Sequence, residues 1–408
     1  MAHLINNIRL QNFLSFGPNG KTIKMENLNV LIGPNGSGKS NFIEALEVLH
    51  ATAGGLSELI RQGGAPADWI WRGRNPGRHT SLAEAQIEAV LRENQPTPEM
   101  LYRLAFTESG GRLEITDEAL EDWKRTGPTK EDVRFYYRFQ AGRPVIRVTQ
   151  HSEDDATHRT VIERFLKREN VDPRESALVQ LRDPELYPEL TTTAKRFAAI
   201  RIFREWSFGR AAGLRMAQPA NLPTDTLLPN LVNLGLILND MEHRSARWNR
   251  LLQLMGKFLP RFQRLSTKVA AGAVQIFFHE DGLSTPVPAT RLSDGSLRFL
   301  SLLAILLDAD QSPLVCVEEP ELGMHPDAMA ILGQLMVEAS EMTQLVVTTH
   351  SEALVSALSD EAKSVMVCNY GPDGTEFDRL EPDKLKSWLK DYTLGDIWRS
   401  GKLGGNLW

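Results

Sequence analysis

The sequence predicts an α/β fold in which a mixed β-sheet carries the functional residues. A glycine-rich turn, GPNGSGKS at residues 33–40, separates a continuous apolar run, LNVLI, from NFIEALEVLHA, whose apolar residues recur at helical spacing. Near the other end of the chain, apolar strands alternate with helices between about residues 292 and 369. Such alternation is typical of parallel strands joined by crossover helices.

Length and composition are those of an ordinary globular protein. The 408 residues correspond to roughly two to three domains, and the hydrophobic and charged fractions are 42% and 24%. Lysine and arginine total 46 against 52 acidic residues, and the net charge of −6 disfavours a surface devoted to nucleic acid. The longest apolar stretch, near residues 299–307, is far shorter than the ~20 residues of a transmembrane helix. We therefore expect a cytoplasmic protein without a membrane span.

The N-terminal part of the chain has the patterns of β-structure around one helix. The alternating segment IRLQNFLSF and the apolar run LNVLI within residues 1–32 are both typical of strands. Between residues 80 and 149, five segments separated by Gly, Pro and Asp turns predict an antiparallel β-meander: SLAEAQIEAVL, MLYRLAFT, GRLEIT, VRFYYRF and PVIRVT. We assign residues 1–150 to a first lobe.

Helical periodicity dominates the middle of the chain. It is clearest in HRTVIERFLKREN, LTTTAKRFAAIRIF and SARWNRLLQLMGKFL, and we predict a mainly helical insertion over residues 151–285. The α/β pattern resumes over residues 286–375, and a tail covers residues 376–408. The two cysteines, Cys316 and Cys368, fall in apolar strand-like runs, which indicates reduced core residues rather than a disulfide.

The turn at residues 33–40 fits the pattern G-x-x-x-x-G-K-[ST], which cradles nucleotide phosphates. Its glycines allow backbone N–H groups to turn toward phosphate oxygens, and the following helix presents a positive N-terminus. Lys39 would reach the β- and γ-phosphates, and the Ser40 hydroxyl would ligate Mg²⁺. Because the turn lies between a strand and a helix, as this mechanism requires, we predict nucleotide binding.

Three further segments carry polar residues at the ends of predicted elements. Glu318 and Glu319 close the apolar strand PLVCVEE, where a Mg²⁺-associated carboxylate and a water-activating carboxylate are expected. His350 closes the strand LVVTTH, at the carboxyl end where ligands of α/β sheets bind. LSDGS precedes an apolar helix, so that Ser293 or Ser296 is either a simple N-cap or part of a phosphate-receiving helix start.

This order of motifs resembles the ABC-type ATPase superfamily, and more narrowly the SMC, RecF and OLD-related AAA family ATPases. The resemblance rests on NFLSF before GPNGSGKSN, on the EEPE-x-x-x-HP run and on TTHS. It implies an ABC/SMC-head-like P-loop ATPase with ATP and Mg²⁺ as cofactors. The nucleotide would be held by residues of the Walker A and signature motifs: Asn35, Gly36, Ser37, Gly38, Lys39, Ser40, Asn41, Ser293, Asp294 and Gly295.

The resemblance also implies individual roles at the reacting end of the nucleotide. Glu318 would join Ser40 at the Mg²⁺ as a Walker B residue. Glu319 would orient the attacking water, and His350 would be the switch histidine. Residues 321–326 stand where the D-loop lies.

The glutamine loop and two motif positions are less regular. Gln62 and Gln86 both fall in the stretch where the glutamine loop is expected, and we favour Gln86. Most relatives have aspartate where this chain has Glu318, whose extra methylene still allows a water-mediated Mg²⁺ contact. Some relatives have arginine where this chain has Leu14, so any phosphate role is lost at that position.

The resemblance implies a homodimer, because in this superfamily the signature of one subunit caps the nucleotide held by another. One chain carries one P-loop and one LSDGS, so two chains would enclose two ATP-Mg²⁺. The 58 residues after His350 are too few for a Toprim nuclease domain, and a separately encoded nuclease or other effector is a possible partner. The nearest look-alikes suggest phage defence or DNA repair. An ATP-dependent dimerisation switch or a DNA-binding module with negligible turnover is the alternative.

Three other hypotheses have weaker support. The tetrapeptide TKED at residues 129–132 matches a GTPase motif, but a charged, turn-like segment precedes it. A transition-metal site at Glu318, Glu321, His325 and His350 is disfavoured by the two flanking prolines. An amphipathic basic segment could bind DNA phosphates or simply cover the core, and we prefer the second: Arg244, Arg247, Arg250, Lys257, Arg261 and Arg264. The sequence contains no sustained heptad repeat, so we do not expect a long coiled-coil arm like that of SMC proteins.

Overall fold

The computed structural model describes residues 3–73, 84–92, 98–123, 134–140, 143–151, 159–166, 171–204 and 206–405. Within these ranges the strands are β1 (Ile5–Gln11), β2 (Thr22–Lys24), β3 (Leu28–Ile32), β4 (Ala85–Leu91), β5 (Met100–Ser109), β6 (Arg112–Asp122), β7 (Phe135–Gln140), β8 (Arg143–His151), β9 (Arg159–Phe165), β10 (Arg201–Phe203), β11 (Gln218–Pro219), β12 (Phe262–Ala270), β13 (Ala273–Glu280), β14 (Val287–Pro288), β15 (Leu314–Glu318), β16 (Gln344–Thr348), β17 (Val365–Gly371) and β18 (Gly374–Arg379). The α-helices are α1 (Lys39–Thr52), α2 (Leu56–Gln62), α3 (Ala177–Gln180), α4 (Pro188–Ala198), α5 (Leu234–Glu242), α6 (Ser245–Phe258), α7 (Asp294–Leu307), α8 (Ala328–Ser340), α9 (Glu352–Ser356), α10 (Pro382–Leu385) and α11 (Leu394–Arg399).

The central sheet has the strand order β10-β15-β16-β3-β17-β18. Its strands run parallel except for β18, which pairs antiparallel with β17. Every residue of β3 and β16 is buried, as expected for parallel strands covered on both faces. The predicted α/β fold with a mixed sheet is therefore confirmed.

Side-chain alternation along the central strands feeds two hydrophobic cores. Val30 and Val317 belong to the core formed with α5, α6, α7 and α8. Leu31 and Cys316 belong to the opposite core, formed with α1 and the antiparallel sheet. Both cysteines are free and buried, as the sequence indicated.

The antiparallel sheet follows the order β2-β1-β4-β5-β6-β7-β8-β9. Its β4-to-β8 portion is the predicted meander, with neighbouring strands paired in chain order. β1 joins this portion to the N-terminal strands through pairs such as Ile8 with Ala89. One face of the central sheet thus packs, through α1, against this second sheet.

The middle of the chain is less helical than predicted. HRTVIERFLKREN was expected to be a helix, but residues 159–165 form β9 and pair with β8. LTTTAKRFAAIRIF is helical only up to Ala198, because Arg201–Phe203 is an edge strand of the central sheet. Residues 262–280 form the β12–β13 hairpin within the region assigned to the insertion. α6 confirms the helix expected for SARWNRLLQLMGKFL.

Three neighbouring parallel strands of the central sheet end at one edge. Leu31 of β3, Thr348 of β16 and Glu318 of β15 lie level in the sheet register. The residues immediately after them therefore emerge together, at the carboxyl edge where α/β sheets bind ligands. Across the described ranges, no helix has both the length and the apolarity needed to cross a bilayer.

Candidate nucleotide-binding site

The loop between β3 and α1 has the backbone shape of a phosphate cradle. Gly36 and Gly38 have φ values of +75° and +99°, which L-residues rarely adopt. A Cβ atom at Gly38 would collide with the hydroxyls of Thr375 and Ser15, whereas Gly36 faces open space. The glycines are thus needed for both the turn and the close packing beneath it.

The N-terminus of α1 offers backbone donors to an anion. Gly38 precedes the helix and supplies no side-chain cap, and the first N–H groups of a helix have no intrahelical acceptor. The exposed Asn35 lies in the loop, and Asn41 lies in the first helical turn. The hydroxyl of Ser37 is buried without a hydrogen-bond partner among the described residues. Unsatisfied donors at this point suit the oxygens of a phosphate chain.

Lys39 is folded over the same loop. Its ammonium donates to the carbonyls of Gly33 and Pro34 at 2.8 and 2.9 Å. Burial lowers the pKa of Lys39, and the carboxylates of Glu319 and Glu318 partly offset this effect. The side chain is therefore held at the cradle by weak neutral acceptors that a phosphate oxygen can replace.

Ser40 and Glu318 place a hydroxyl and a carboxylate in contact beside the cradle. The Ser40 hydroxyl donates to Glu318 Oε1, and Glu318 Oε2 lies 3.3 Å from Arg204 Nε. A hydroxyl and a carboxylate next to a triphosphate site are the ligands that Mg²⁺ takes with nucleotides. These residues therefore fit Mg²⁺ as well as ATP, with the cradle supplying the phosphate donors.

Glu319 and His350 face each other at the ends of β15 and β16. Their Oε1 and Nε2 atoms are 3.6 Å apart, and both side chains are about one-third exposed. Glu319 has a φ of +45°, fixed by hydrogen bonds from its N–H to the carbonyl and hydroxyl of Thr348 at 3.0 and 3.2 Å. Arg298 donates to the Glu319 carbonyl at 3.2 Å. The contacts with Thr348 and Arg298 therefore hold Glu319 in this strained conformation beside His350.

The ionisation of His350 depends on its surroundings. Burial lowers its pKa from 6.5, and the charge of Lys39 lowers it further, while Glu319 opposes the shift. The backbone N–H of His350 donates to Glu321 Oε1 at 2.7 Å. Burial raises the pKa of Glu321, whose other oxygen has no partner among the described residues. Glu321 thus connects the loop after Glu319 to the histidine.

The LSDGS segment begins α7. Ser293 is the N-cap of α7 and accepts a hydrogen bond from the Ser296 N–H at 3.0 Å. Ser293 therefore caps the helix, as one of the two readings of LSDGS expected. Ser293 and Asp294 are nevertheless exposed. A Cβ atom at Gly295 would meet the Gly323 carbonyl at 2.9 Å, which brings the segment against the loop after β15.

Arg215 holds the segment that leads into α7. Its guanidinium is 4% exposed and donates to the carbonyls of Phe208, Ala289 and Leu292 at 2.7, 3.0 and 2.7 Å. It also pairs with the carboxylate of Asp294. One buried cation therefore holds the turn that presents Ser293.

Arg204, Trp206, Arg215 and Arg298 were not predicted as site residues. Arg298 stacks over the rings of Trp206 and Phe208, with its Cζ 5.2 and 4.9 Å from their centroids. Trp206 donates to the Glu318 carbonyl at 2.7 Å. The short apolar segment AIRIF before Arg204 is the signal for a strand here, although its apolar residues also continue the helical spacing of LTTTAKRFA.

Several predicted residues lie elsewhere. Gln86 is in β4, where its amide donates to Glu88 at 2.9 Å, and no contact of Gln86 with the cradle is seen within the described ranges. Gln62 ends α2, donates to Glu58 at 2.7 Å and lines a cavity of about 1200 Å³ together with Arg204. The GTPase-like tetrapeptide at residues 129–132 lies outside the described residues.

The two remaining hypotheses are weakened by the contacts. The part of the chain that is described contains no cluster of three His, Cys, Asp or Glu side chains able to hold a metal by themselves. In the basic segment, Arg244 and Arg247 pair with Asp308, and Arg250 pairs with Glu338 at 2.9 Å. Apolar residues of α6 such as Leu251 are buried in the core. These contacts favour the structural role of this helix.

The loop between β3 and α1 and the three strand ends beside it are those of a P-loop protein of the AAA class. The family model described as "AAA domain, putative AbiEii toxin, Type IV TA system" matches residues 28–356. The chain belongs to this family. No curated protein matches the chain.

Solved structures with a similar fold are Smc head domains. An Smc head bound to the C-terminal winged-helix domain of ScpA has a TM-score of 0.59 at 15% identity, over 94% of this chain and 99% of that one. An Smc head from Pyrococcus furiosus, with an extended coiled coil and the C-terminal domain of ScpA, gives 0.56 at 13% identity, over 95% and 98%. An Smc head from Pyrococcus yayanosii gives 0.50 at 12% identity, over 95% and 99%.

Proposed function

We propose that the protein hydrolyses ATP with Mg²⁺ and uses the nucleotide to close a homodimer that controls a partner. One observation carries the proposal: the cradle with Lys39, the Ser40–Glu318 pair and the Glu319–His350 pair lie at the ends of three adjacent strands. Binding, metal and water-activating groups thus meet at one edge. The Smc-like fold supports the class of reaction.

Each group has a defined task in this reaction. The glycine loop and the start of α1 bind the phosphates, and Lys39 exchanges its loop carbonyls for phosphate oxygens. Bound Mg²⁺ would neutralise charge on the β- and γ-phosphates. Ser40 and Glu318 would hold that ion. Glu319 orients the attacking water as a base, and His350 contacts the transferring phosphate from the adjacent strand.

Dimerisation would complete the site. Ser293 and Asp294 are exposed at the N-terminus of α7, where the helix dipole favours an anion. The 14-residue helix is anchored by Arg215 and Arg298, so its tip is a fixed element. A two-fold arrangement would place this tip on the partner's nucleotide and supply both sites reciprocally.

The output would lie in a partner. The similar Smc heads were solved with a domain of ScpA, and we propose that this chain likewise acts on a separately encoded protein. A nuclease or another effector in phage defence or DNA repair is the partner class we favour. Direct DNA binding through α6 is a weaker proposal, since Arg244 just before it and Arg247 and Arg250 within it are engaged by carboxylates.

Phosphate release by the wild type, Lys39→Ala and Glu319→Gln tests the chemistry. We expect Lys39→Ala to lose ATP binding, and Glu319→Gln to bind ATP while releasing phosphate about 100-fold more slowly. Light scattering should show ATP-dependent dimers that accumulate with Glu319→Gln. ATP-driven dimers without phosphate release by the wild type would instead identify a binding switch. A wild type that neither binds nor hydrolyses ATP would refute the proposal.

A further inference from the structure

Arg204 lies beside the proposed Mg²⁺ ligand for a topological reason. β10 pairs in parallel with β15, and Phe203 is level with Val317. Arg204, the residue after β10, therefore lies beside Glu318, the last residue of β15. This places a guanidinium from the middle of the chain at the edge where the strands end.

The guanidinium is shared among three carboxylates. Nε lies 3.3 Å from Glu318 Oε2, Nη1 donates to Glu47 Oε2 at 2.7 Å, and Nη2 donates to Glu44 Oε1 at 3.3 Å. Glu44 and Glu47 project from α1, the helix that begins at Lys39. Three carboxylates against one guanidinium leave the cluster with a formal charge of −2.

The two carboxylate oxygens of Glu318 have different partners. Oε1 accepts a hydrogen bond from the Ser40 hydroxyl, and Oε2 faces Arg204. The main-chain carbonyl of Glu318 is held by Trp206, two residues beyond Arg204. One carboxylate thus contacts both Ser40 and Arg204.

We propose that Arg204 is a positioning residue that orients Glu318 and sets the Mg²⁺ affinity of the nucleotide site. It has two separable effects. Its positive charge opposes a second cation near Glu318, so Arg204 weakens Mg²⁺ binding. Its ion pair with Oε2 leaves Oε1 facing the Ser40 hydroxyl, so Arg204 supports hydrolysis. This inference rests on the proposed function and concerns regulation of that site.

Mg²⁺ titrations of nucleotide binding test the charge effect without measuring turnover. Binding of a fluorescent ATP analogue would be followed by anisotropy at increasing Mg²⁺ concentration. Arg204→Ala should lower the half-saturating Mg²⁺ concentration about fivefold, since one opposing charge is lost in partly hydrated surroundings. Glu47→Gln should raise it, because Arg204 is then shared between two carboxylates instead of three.

Phosphate release tests the orientation effect. Arg204→Ala should slow release about tenfold with little change in the KM for ATP. Arg204→Lys keeps the charge but not the forked donor set, so its Mg²⁺ titration should stay near that of the wild type while its turnover stays low. Arg61→Ala is the matched control, because it removes an exposed guanidinium that pairs with Glu58 on α2.

The outcomes separate this inference from the proposed function. Shifts of opposite sign for Arg204→Ala and Glu47→Gln support it, because general damage to the fold would weaken binding in both variants. Unchanged Mg²⁺ titrations in folded variants overturn it while leaving the ATPase proposal intact. A wild type that binds nucleotide without hydrolysis refutes the proposed chemistry, while the Mg²⁺ shifts still decide the role of Arg204. A wild type that binds no nucleotide refutes both.

Discussion

Replacing Arg215 by methionine should cost the protein a large part of its stability. The guanidinium is 4% exposed and donates to three main-chain carbonyls between 2.7 and 3.0 Å. A hydrogen bond from a charged donor contributes about 1.5–3 kcal/mol, and such contributions are not additive. Methionine keeps most of the apolar stem but leaves the carbonyls without their donor. We therefore expect the free energy of unfolding to fall by about 3–5 kcal/mol.

Urea unfolding followed by circular dichroism measures this change. The transition midpoint should fall, and the slope of unfolding free energy against urea should stay constant if native compactness is unchanged. Asp294→Asn is the control, because it removes the partner whose side chain is 68% exposed. Because the Asp294 carboxylate is mostly in solvent, its pairing with Arg215 should contribute little, about 1 kcal/mol. Equal effects of the two substitutions would refute the argument that the buried carbonyl bonds dominate.

Three further predictions concern the site and the core. Burial lowers the pKa of His350 from 6.5, so its ring signals should titrate by NMR below pH 6.5. The free energy of unfolding should fall as the pH drops through that range, because the unfolded chain binds the proton more readily. A titration midpoint at or above 6.5 contradicts this. Gly38→Ala should abolish nucleotide binding, because Gly38 has a φ of +99° and an added Cβ has no room. Gly110→Ala is the control: it should retain nucleotide binding and lower the free energy of unfolding by only about 1 kcal/mol. Burial raises the pKa of the Cys316 and Cys368 thiols, so both should resist iodoacetamide in the native protein and react after unfolding. Mass spectrometry measures the labelling. Labelling of the native protein would disprove the buried placement of the two cysteines.

Local patterns predicted the parts of the site that depend on neighbours in the chain. The strand, glycine loop and helix around Lys39 are contiguous, and the strands ending at Glu318 and His350 are uninterrupted apolar runs. Arg204 was missed because its position follows from the parallel register of β10 with β15, more than 100 residues later. Register between distant strands leaves no trace in local periodicity.

The errors in the middle of the chain have a similar cause. In residues 159–165 the sequence RTVIERF allows apolar side chains at helical spacing, but three of its residues are β-branched and suit a strand. Pairing with β8 provided the deciding backbone hydrogen bonds. AIRIF likewise continued a helical pattern, and an open edge of the central sheet converted it to β10.

The placement of β3 between β16 and β17 has a consequence for biosynthesis. Roughly 340 residues separate the end of β3 at Ile32 from the end of β17 at Gly371. At about 5–20 residues per second, the ribosome needs roughly 20–70 s to produce the flanking strands. During most of that interval the nascent chain carries an apolar strand and its glycine loop with neither neighbour, so the phosphate cradle matures only after β16 and β17 have been made.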